Sequence, residues 1–325
     1  MSVLNILFVG SDEVARSIAK KSDSRDVDNY IYKDLKEGGL FSTISILRPN
    51  NYPDKPKPFF TSLTVSDFGI IEVNKVDGSF GEVIVSMASA GIKDGLVLIN
   101  PSEGEWVDDS QVKTLLKQAG LSNWEFIEND GVLIREKLIE VLNQIKPNDD
   151  DGFVVAVDQA FTVKGVGLVA IGHVQSGKVN KHDELILAGS EGNAIARSLQ
   201  VMDLDVDVAN VGDRVGLAMR TAGPFREDLL GKGSILADSD ERFAVESKSK
   251  FELDKAVFQK NDLAKGDVVH LCCDLQFVVG RISEVSDCVH IDWDFPIVLN
   301  KSSVRKPLIV QLEANPRIMG FAKFK

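Results

Sequence analysis

Over the first 147 residues, short apolar runs alternate with stretches of helical period. "VLNILFVG" (3–10) reads as a buried strand ending in Gly10; "SDEVARSIAKK" (11–21) opens on cap-type residues and sets Val14, Ala15 and Ile18 on one helical face. "DFGIIEV" (67–73) and "DGLVLIN" (94–100) are further buried strands, separated by the helical "GEVIVSMASAGI" (81–92). In "DDSQVKTLLKQAG" (108–120), Val112, Leu115, Leu116 and Ala119 recur at helical spacing, and Gly120 is a natural stop. Leu138, Val141, Leu142 and Ile145 mark a last helix. The four prolines of "RPNNYPDKPKP" (48–58) predict a loop. This alternation implies an α/β layer fold with a mainly parallel sheet.

The pattern changes after the polar break "KPNDDDG" (146–152). "FVVAVDQAFTVKGVGLVAIGHVQSGKV" (153–179) is a series of β-branched runs punctuated by glycine, which predicts an antiparallel barrel. A second break, "DSDERF" (238–243), precedes another strand-rich stretch. The expected domains are therefore 1–147, 152–239 and 243–325.

Composition narrows the classes. A net charge of −12 argues against a basic nucleic-acid footprint over the whole chain and leaves room for a local one. Three cysteines fit a reducing cytoplasm better than a disulfide scaffold. No apolar run reaches the roughly 18 residues of a bilayer span, and "MSVLNILFVG" lacks the basic start of a secretory signal. Neither membrane nor DNA is expected as a partner.

The middle segment carries glycine-marked elements in order: "FTVKGVG" (161–167), "GHVQSG" (172–177), "VGDRVGLAMR" (211–220) and "LLGKGSIL" (229–236). Together they resemble the second domain of the EF-Tu-like translation factors. Lys232 stands where Arg is usual, and His182 where Gly commonly precedes Asp183. The closing "PRIMGF" (316–321) is most similar to the third-domain barrel of selenocysteine-specific elongation factors and the initiation-factor-two gamma subunit. The extra RNA-hairpin-reading domain of bacterial selenocysteine factors is expected to be absent. The fold class implied is α/β plus all-β: a P-loop-GTPase-like domain followed by two antiparallel β-barrels.

On that resemblance, "GSDEVARS" (10–17) falls in the phosphate-binding register. Gly10 and Ser17 keep their types, but Ala15 and Arg16 replace the Gly and Lys whose backbone approach and compact charge hold phosphate. Asp12 and Glu13 set two carboxylates in the anion's path. Residues 48–65 hold no Asp-x-x-Gly, and the four histidines all lie beyond residue 170, so the family's water-positioning residue is missing. Asn74-Lys75-Val76-Asp77 spells the guanine-reading tetrad, yet chain order puts it one strand early. The guanine position holds Asn100, Pro101, Ser102 and Glu103.

The degenerate nucleotide site is thus Gly10, Ala15, Arg16, Ser17, Asn100 and Glu103, with binding expected to be weak or absent, no catalytic residue and no cofactor. GTP and Mg²⁺ enter only if the chain is an authentic elongation factor with diverged motifs. Lys164, Lys178, Arg197, Arg214 and Arg220 lie on the barrel that contacts the aminoacyl end of tRNA in the family. They mark either an RNA- or partner-facing surface or a solvated barrel face. His270, Cys272, Cys288 and His290 have zinc-ligand chemistry but lack knuckle spacing, so no metal site is expected. The expected role is a pseudo-GTPase that binds tRNA, the ribosome or a translation protein, or else a scaffold outside translation.

Overall fold

The computed structural model describes residues 2–35, 41–104, 106–145 and 152–325, with only the backbone of Phe41. The first body comprises β1 (Val3–Val9), α1 (Asp12–Ile18), β2 (Lys20–Ser24), β3 (Val27–Leu35), β4 (Phe41–Pro49) and α2 (Pro56–Leu63). It continues through β5 (Phe68–Val73), α3 (Gly78–Ala90), β6 (Gly95–Ile99), α4 (Asp109–Ala119), β7 (Glu125–Phe126) and α5 (Gly131–Gln144). Its sheet order is β2-β3-β4-β1-β5-β6-β7. β4, β1, β5, β6 and β7 pair in parallel, and β2 and β3 add an antiparallel edge.

Side-chain alternation on β1 builds two layers. Leu4, Ile6 and Phe8 pack with Ile18 of α1 and Ile134, Leu138 and Leu142 of α5. Leu7 faces the other way, against Phe59 and Phe60 of α2 and Val83, Ile84 and Met87 of α3. The chain reaches β2, β3 and β4 on one side of β1 and crosses through α2 to β5 on the other, so the order reverses between β1 and β5. That reversal is where open α/β sheets leave a crevice at their strand ends.

The proline-rich stretch is less of a loop than expected: Pro49 ends β4, and Pro56 begins α2. A proline at the first helical position gives up an N–H that would have had no partner, and its fixed φ suits the helix start.

The second body holds β8 (Phe153–Val163), β9 (Gly167–Asn180), β10 (Glu184–Leu187), β11 (Asn193–Val201), β12 (Leu204–Val206), β13 (Val208–Asn210), β14 (Arg214–Ala222) and β15 (Ile235–Ala237). Its order is β10-β15-β8-β9-β14-β11-β12, and β10 also pairs with β11, which returns the path to its first strand. The third body is a closed antiparallel barrel, β16 (Phe243–Lys255), β19 (Val289–Asn300), β18 (Gln276–Val285), β17 (Val268–Cys273), β20 (Leu308–Val310) and β21 (Ile318–Phe324) in spatial order. Of the break read at 146–152, only Gly152 lies within the described residues.

The three bodies are packed together. The α2–α3 layer shares one apolar cluster with Cys272, Leu308, Val310 and Ile318 of the third. Asn5 Nδ2 donates to the Gly212 carbonyl at 2.9 Å. Gly212 has φ +88°, and a Cβ there would stand 3.2 Å from that of Val3, so the turn before β14 requires glycine for both conformation and space. No helix among the described residues is long and apolar enough to cross a membrane.

Candidate functional site

At the β1–β5 reversal the chain turns from Val9 through Gly10 and Ser11 into α1. Ser11 caps the helix, its Oγ accepting from Val14 N at 3.3 Å. The Ser11 N–H donates to Glu72 Oε2 at 2.6 Å. Glu72, on β5, is 6% exposed, and its Oε1 accepts from Asn100 Nδ2 at 2.5 Å. The Asn100 carbonyl accepts from Asn74 Nδ2 at 2.8 Å. A Cβ on Gly10 would come within 2.7 Å of both Glu72 Cβ and Oε2, so the absent side chain makes room for a carboxylate of the chain itself.

The remaining phosphate-register residues are also engaged. Ala15 is fully buried in the core. Arg16 turns outward and pairs with Asp12. Ser17 Oγ donates to the Val14 carbonyl at 2.7 Å, and the Ser17 carbonyl accepts from Arg135. Asp12 accepts from the Tyr30 hydroxyl at 2.5 Å and from Lys21 at 3.1 Å. These contacts, with Tyr30 foremost, hold its carboxyl well below the ordinary carboxylate range. Arg48 Nε donates to the Gly10 carbonyl at 2.8 Å, and its Nη1 reaches Asp28 at 3.2 Å and Asn50 at 2.8 Å.

Asn74–Asp77 follows β5, and Asn100 follows β6. Asp77 caps α3: its Oδ1 accepts from Ser79 N at 2.9 Å and Phe80 N at 3.1 Å, while Lys75 Nζ lies 3.0 Å from Oδ2. Burial would raise the Asp77 carboxyl's pKa, but the Phe80 N–H and Lys75 outweigh it and lower it. Pro101, Ser102 and Glu103 are exposed. A cavity of about 280 Å³ lies elsewhere, between the bodies, whereas at the reversal itself one of about 370 Å³ opens among Gly10, Tyr52, Glu72, Asn74, Asp77 and Phe80.

The basic residues of the second body do not share one cluster. Lys164, in the β8–β9 turn, and Arg220, whose neighbour Met219 pairs with Leu168, stand at the same end of the sheet and are exposed. Lys178 is eleven residues along β9 from Gly167, roughly 35 Å at strand rise. Arg197 is exposed at the β11 bulge. Arg214 points toward the first body, 3.0 Å from Asp158 and 3.3 Å from Asp23.

In the third body β18 lies between β17, which carries His270 and Cys272, and β19, which carries His290. The strands thought able to pair these residues are therefore not neighbours. His270 stacks on Phe277 at 4.6 Å, and burial pushes the Cys272 thiol's pKa up. Among the described residues no group of three or more His, Cys, Asp or Glu is placed to hold a metal ion.

Motif reading missed Glu72, Arg48 and Asp28. Glu72 had a signal: it is the one charged residue inside the buried run "FGIIEV". It missed a second cluster as well. Tyr52 donates to Glu82 Oε1 at 2.7 Å, and Arg317 of "PRIMGF" closes on the same carboxylate at 2.7 Å.

An α/β body followed by two antiparallel β-rich bodies is the three-body architecture that SelB elongation factors also have. The chain's similarities in fold and in part of its sequence are to selenocysteine-specific elongation factors. No family model matches it. It is 29% identical over 281 residues, 86% of each chain, to an uncharacterized protein of Methanocaldococcus jannaschii. It is 30% identical over 157 residues to the selenocysteine-specific elongation factor of the same organism, which is 48% of this chain and only 33% of that factor. In fold it is similar to translation elongation factor SelB from Methanococcus maripaludis in its apo form, with a TM-score of 0.78 at 18% identity, over 100% of this chain and 80% of the other. The same factor in complex with the GTP analogue GppNHp gives 0.78 at 19%, over 100% and 79%.

Proposed function

We propose that this protein is a translation-factor-like pseudo-GTPase that acts by binding tRNA, the ribosome or another translation protein, in the cytoplasm and without hydrolysing GTP. The observation that carries the reading is the Glu72 carboxylate seated on the Ser11 N–H, where a phosphate would need that donor. A negative charge fixed there repels nucleotide phosphate, and α1 adds no free lysine to offset it. Without a γ-phosphate to order switch segments, the chain does not cycle between two nucleotide states.

The test is titration calorimetry with GTP and with GDP in the presence of Mg²⁺. The expected result is no binding tighter than about millimolar, on the order of −4 kcal/mol. A micromolar constant overturns this reading in favour of an authentic GTP-dependent factor, a reading supported by the likeness to the GppNHp-bound SelB fold. Association with tRNA or ribosomes that weakens steeply with salt supports the translation role, and its absence supports a scaffold outside translation.

A further inference from the structure

Where the three bodies meet, an open cavity of about 280 Å³ lies apart from the β1–β5 reversal. The first body contributes the β2–β3 turn and α2, the second contributes Asp158, His173 and Lys232, and the third contributes Leu275. Its apolar floor is one cluster formed by Val27, Leu47, Val65, Ala156 and Leu275. Its polar wall is Arg25, Asp158, His173 and Lys232.

Two atoms on that wall have no hydrogen-bond partner among the described residues. His173 is 3% exposed, and its Nδ1 has no partner among the described residues. Lys232 Nζ approaches a carboxylate only at Asp158, 4.0 Å away, too far for a hydrogen bond. Asp158 is already shared by Arg25 at 2.8 Å and Arg214 at 3.0 Å. The charged lining is Arg25 and Lys232 against Asp26 and Asp158, with Arg214 just behind on Asp158 and Asp23. Lys232 is the cation of this set with no carboxylate at hydrogen-bond distance, and it stands on the same wall as the unpartnered imidazole nitrogen. A buried polar nitrogen such as His173 Nδ1 normally has a partner, so its exception points to a ligand or ordered water, while Lys232, 31% exposed, reaches solvent as well as the cavity.

We propose that this junction is a binding site for a small carboxylate with a short aliphatic body. The carboxylate accepts from Lys232 Nζ and from His173 Nδ1–H, and the aliphatic part lies on the Val65–Leu275 floor. The volume, about 280 Å³, is at the small end for ligand pockets and is ample for a carboxylate with a short aliphatic body. Burial lowers the pKa of both Lys232 and His173, so His173 is neutral and can donate from Nδ1, and an anion beside Lys232 favours its charged form. The proposal is independent of the role in translation, because none of these groups belongs to the degenerate nucleotide position.

The test uses the full chain titrated with isovalerate, with its neutral isostere isovaleramide and with inorganic phosphate, followed by calorimetry and by the thermal midpoint. Isovalerate is expected to bind with a constant of about millimolar or tighter, and the amide at least tenfold more weakly. Lys232→Gln is expected to lose tenfold or more for isovalerate. Val27→Phe fills the cavity without altering its charge and is expected to abolish binding while the ligand-free midpoint stays near that of the parent chain. Equal binding of acid and amide overturns the proposal, as does undiminished binding by either variant. Phosphate binding as tightly as isovalerate overturns the assignment to carboxylates.

Discussion

His173 shows how one residue sets a property of the whole chain. It lies on β9 opposite Ala156 and Arg214, fully buried, and burial with the nearby Arg214 charge pushes its pKa down to about 4. The unfolded chain takes up a proton near the ordinary 6.5 and the folded chain only near 4, so the unfolded state binds more protons between these values. His173 thus contributes stability that is fully present above about pH 6.5 and is lost as pH falls toward 4. At about 1.36 kcal/mol per unit the loss is on the order of 3 kcal/mol. Asp274 acts in the opposite sense: burial raises its carboxyl pKa to about 6, so it favours the folded state at low pH. The measurement is therefore a difference. Denaturant unfolding of the parent chain and of His173→Gln from pH 7 to 4 should show the parent losing about 3 kcal/mol relative to the variant; parallel profiles would contradict the assignment. Asp158, whose burial is outweighed by Arg214 and Arg25, is held at about 2 and stays charged across this range.

At the scale of elements, the guanine-like tetrad has become a helix start. Asp77 is the N-cap of α3, and Lys75 is its ion-pair partner. Asp77→Ala is expected to cost about 0.5–2 kcal/mol of stability, measured by denaturant unfolding, as for other lost caps. It should leave the response to GTP unchanged, since the residue is committed to Ser79 N and Phe80 N. Much at this scale was legible in the sequence. The apolar period of α4, its Asp108 cap and its Gly120 stop at φ +89° all follow from local rules. The β2–β3 edge hairpin was less legible, because "KKSDS" alternates exposed and half-exposed positions and holds its place through neighbours such as Tyr30 and Asp28. Pro56 was read as a breaker although at a helix start it serves equally well as an initiator, and only the packing of Phe59 and Phe60 beneath it selects that role.

At the scale of the molecule, Glu82 on α3 ties the first body to the third. It is 4% exposed and accepts from the Arg317 N–H at 2.7 Å, from the Arg317 guanidinium and from Tyr52, while Arg317 Nη1 donates to the Pro53 carbonyl at 2.9 Å. Removing one partner leaves the other charged and largely desolvated, which costs more than the pair itself contributes. Glu82→Ala should cost about 2–4 kcal/mol, somewhat below a fully buried pair because Arg317 retains water contact. The double variant with Arg317→Ala should cost less than the two single changes summed, by about 1–3 kcal/mol. Additive losses in a denaturant double-mutant cycle would show that the clasp carries no coupling.

What the amino-acid order determined by itself was architecture: the alternating periods of an α/β layer, two glycine-punctuated β-rich bodies after it, and the place of Asn74–Asp77 after β5, one strand before Asn100. These follow from short-range periodicity and chain order, which a linear reading captures. What only the tertiary structure decided was how charges meet. Glu72 and Ser11 lie 61 residues apart, Asp23 and Arg214 191 apart, and Glu82 and Arg317 235 apart. No local pattern encodes those separations. A carboxylate's partner depends on which strand ends and body surfaces are brought together, and in this chain that juxtaposition put the Glu72 carboxylate on the Ser11 N–H and left Lys232 and His173 lining a shared cavity.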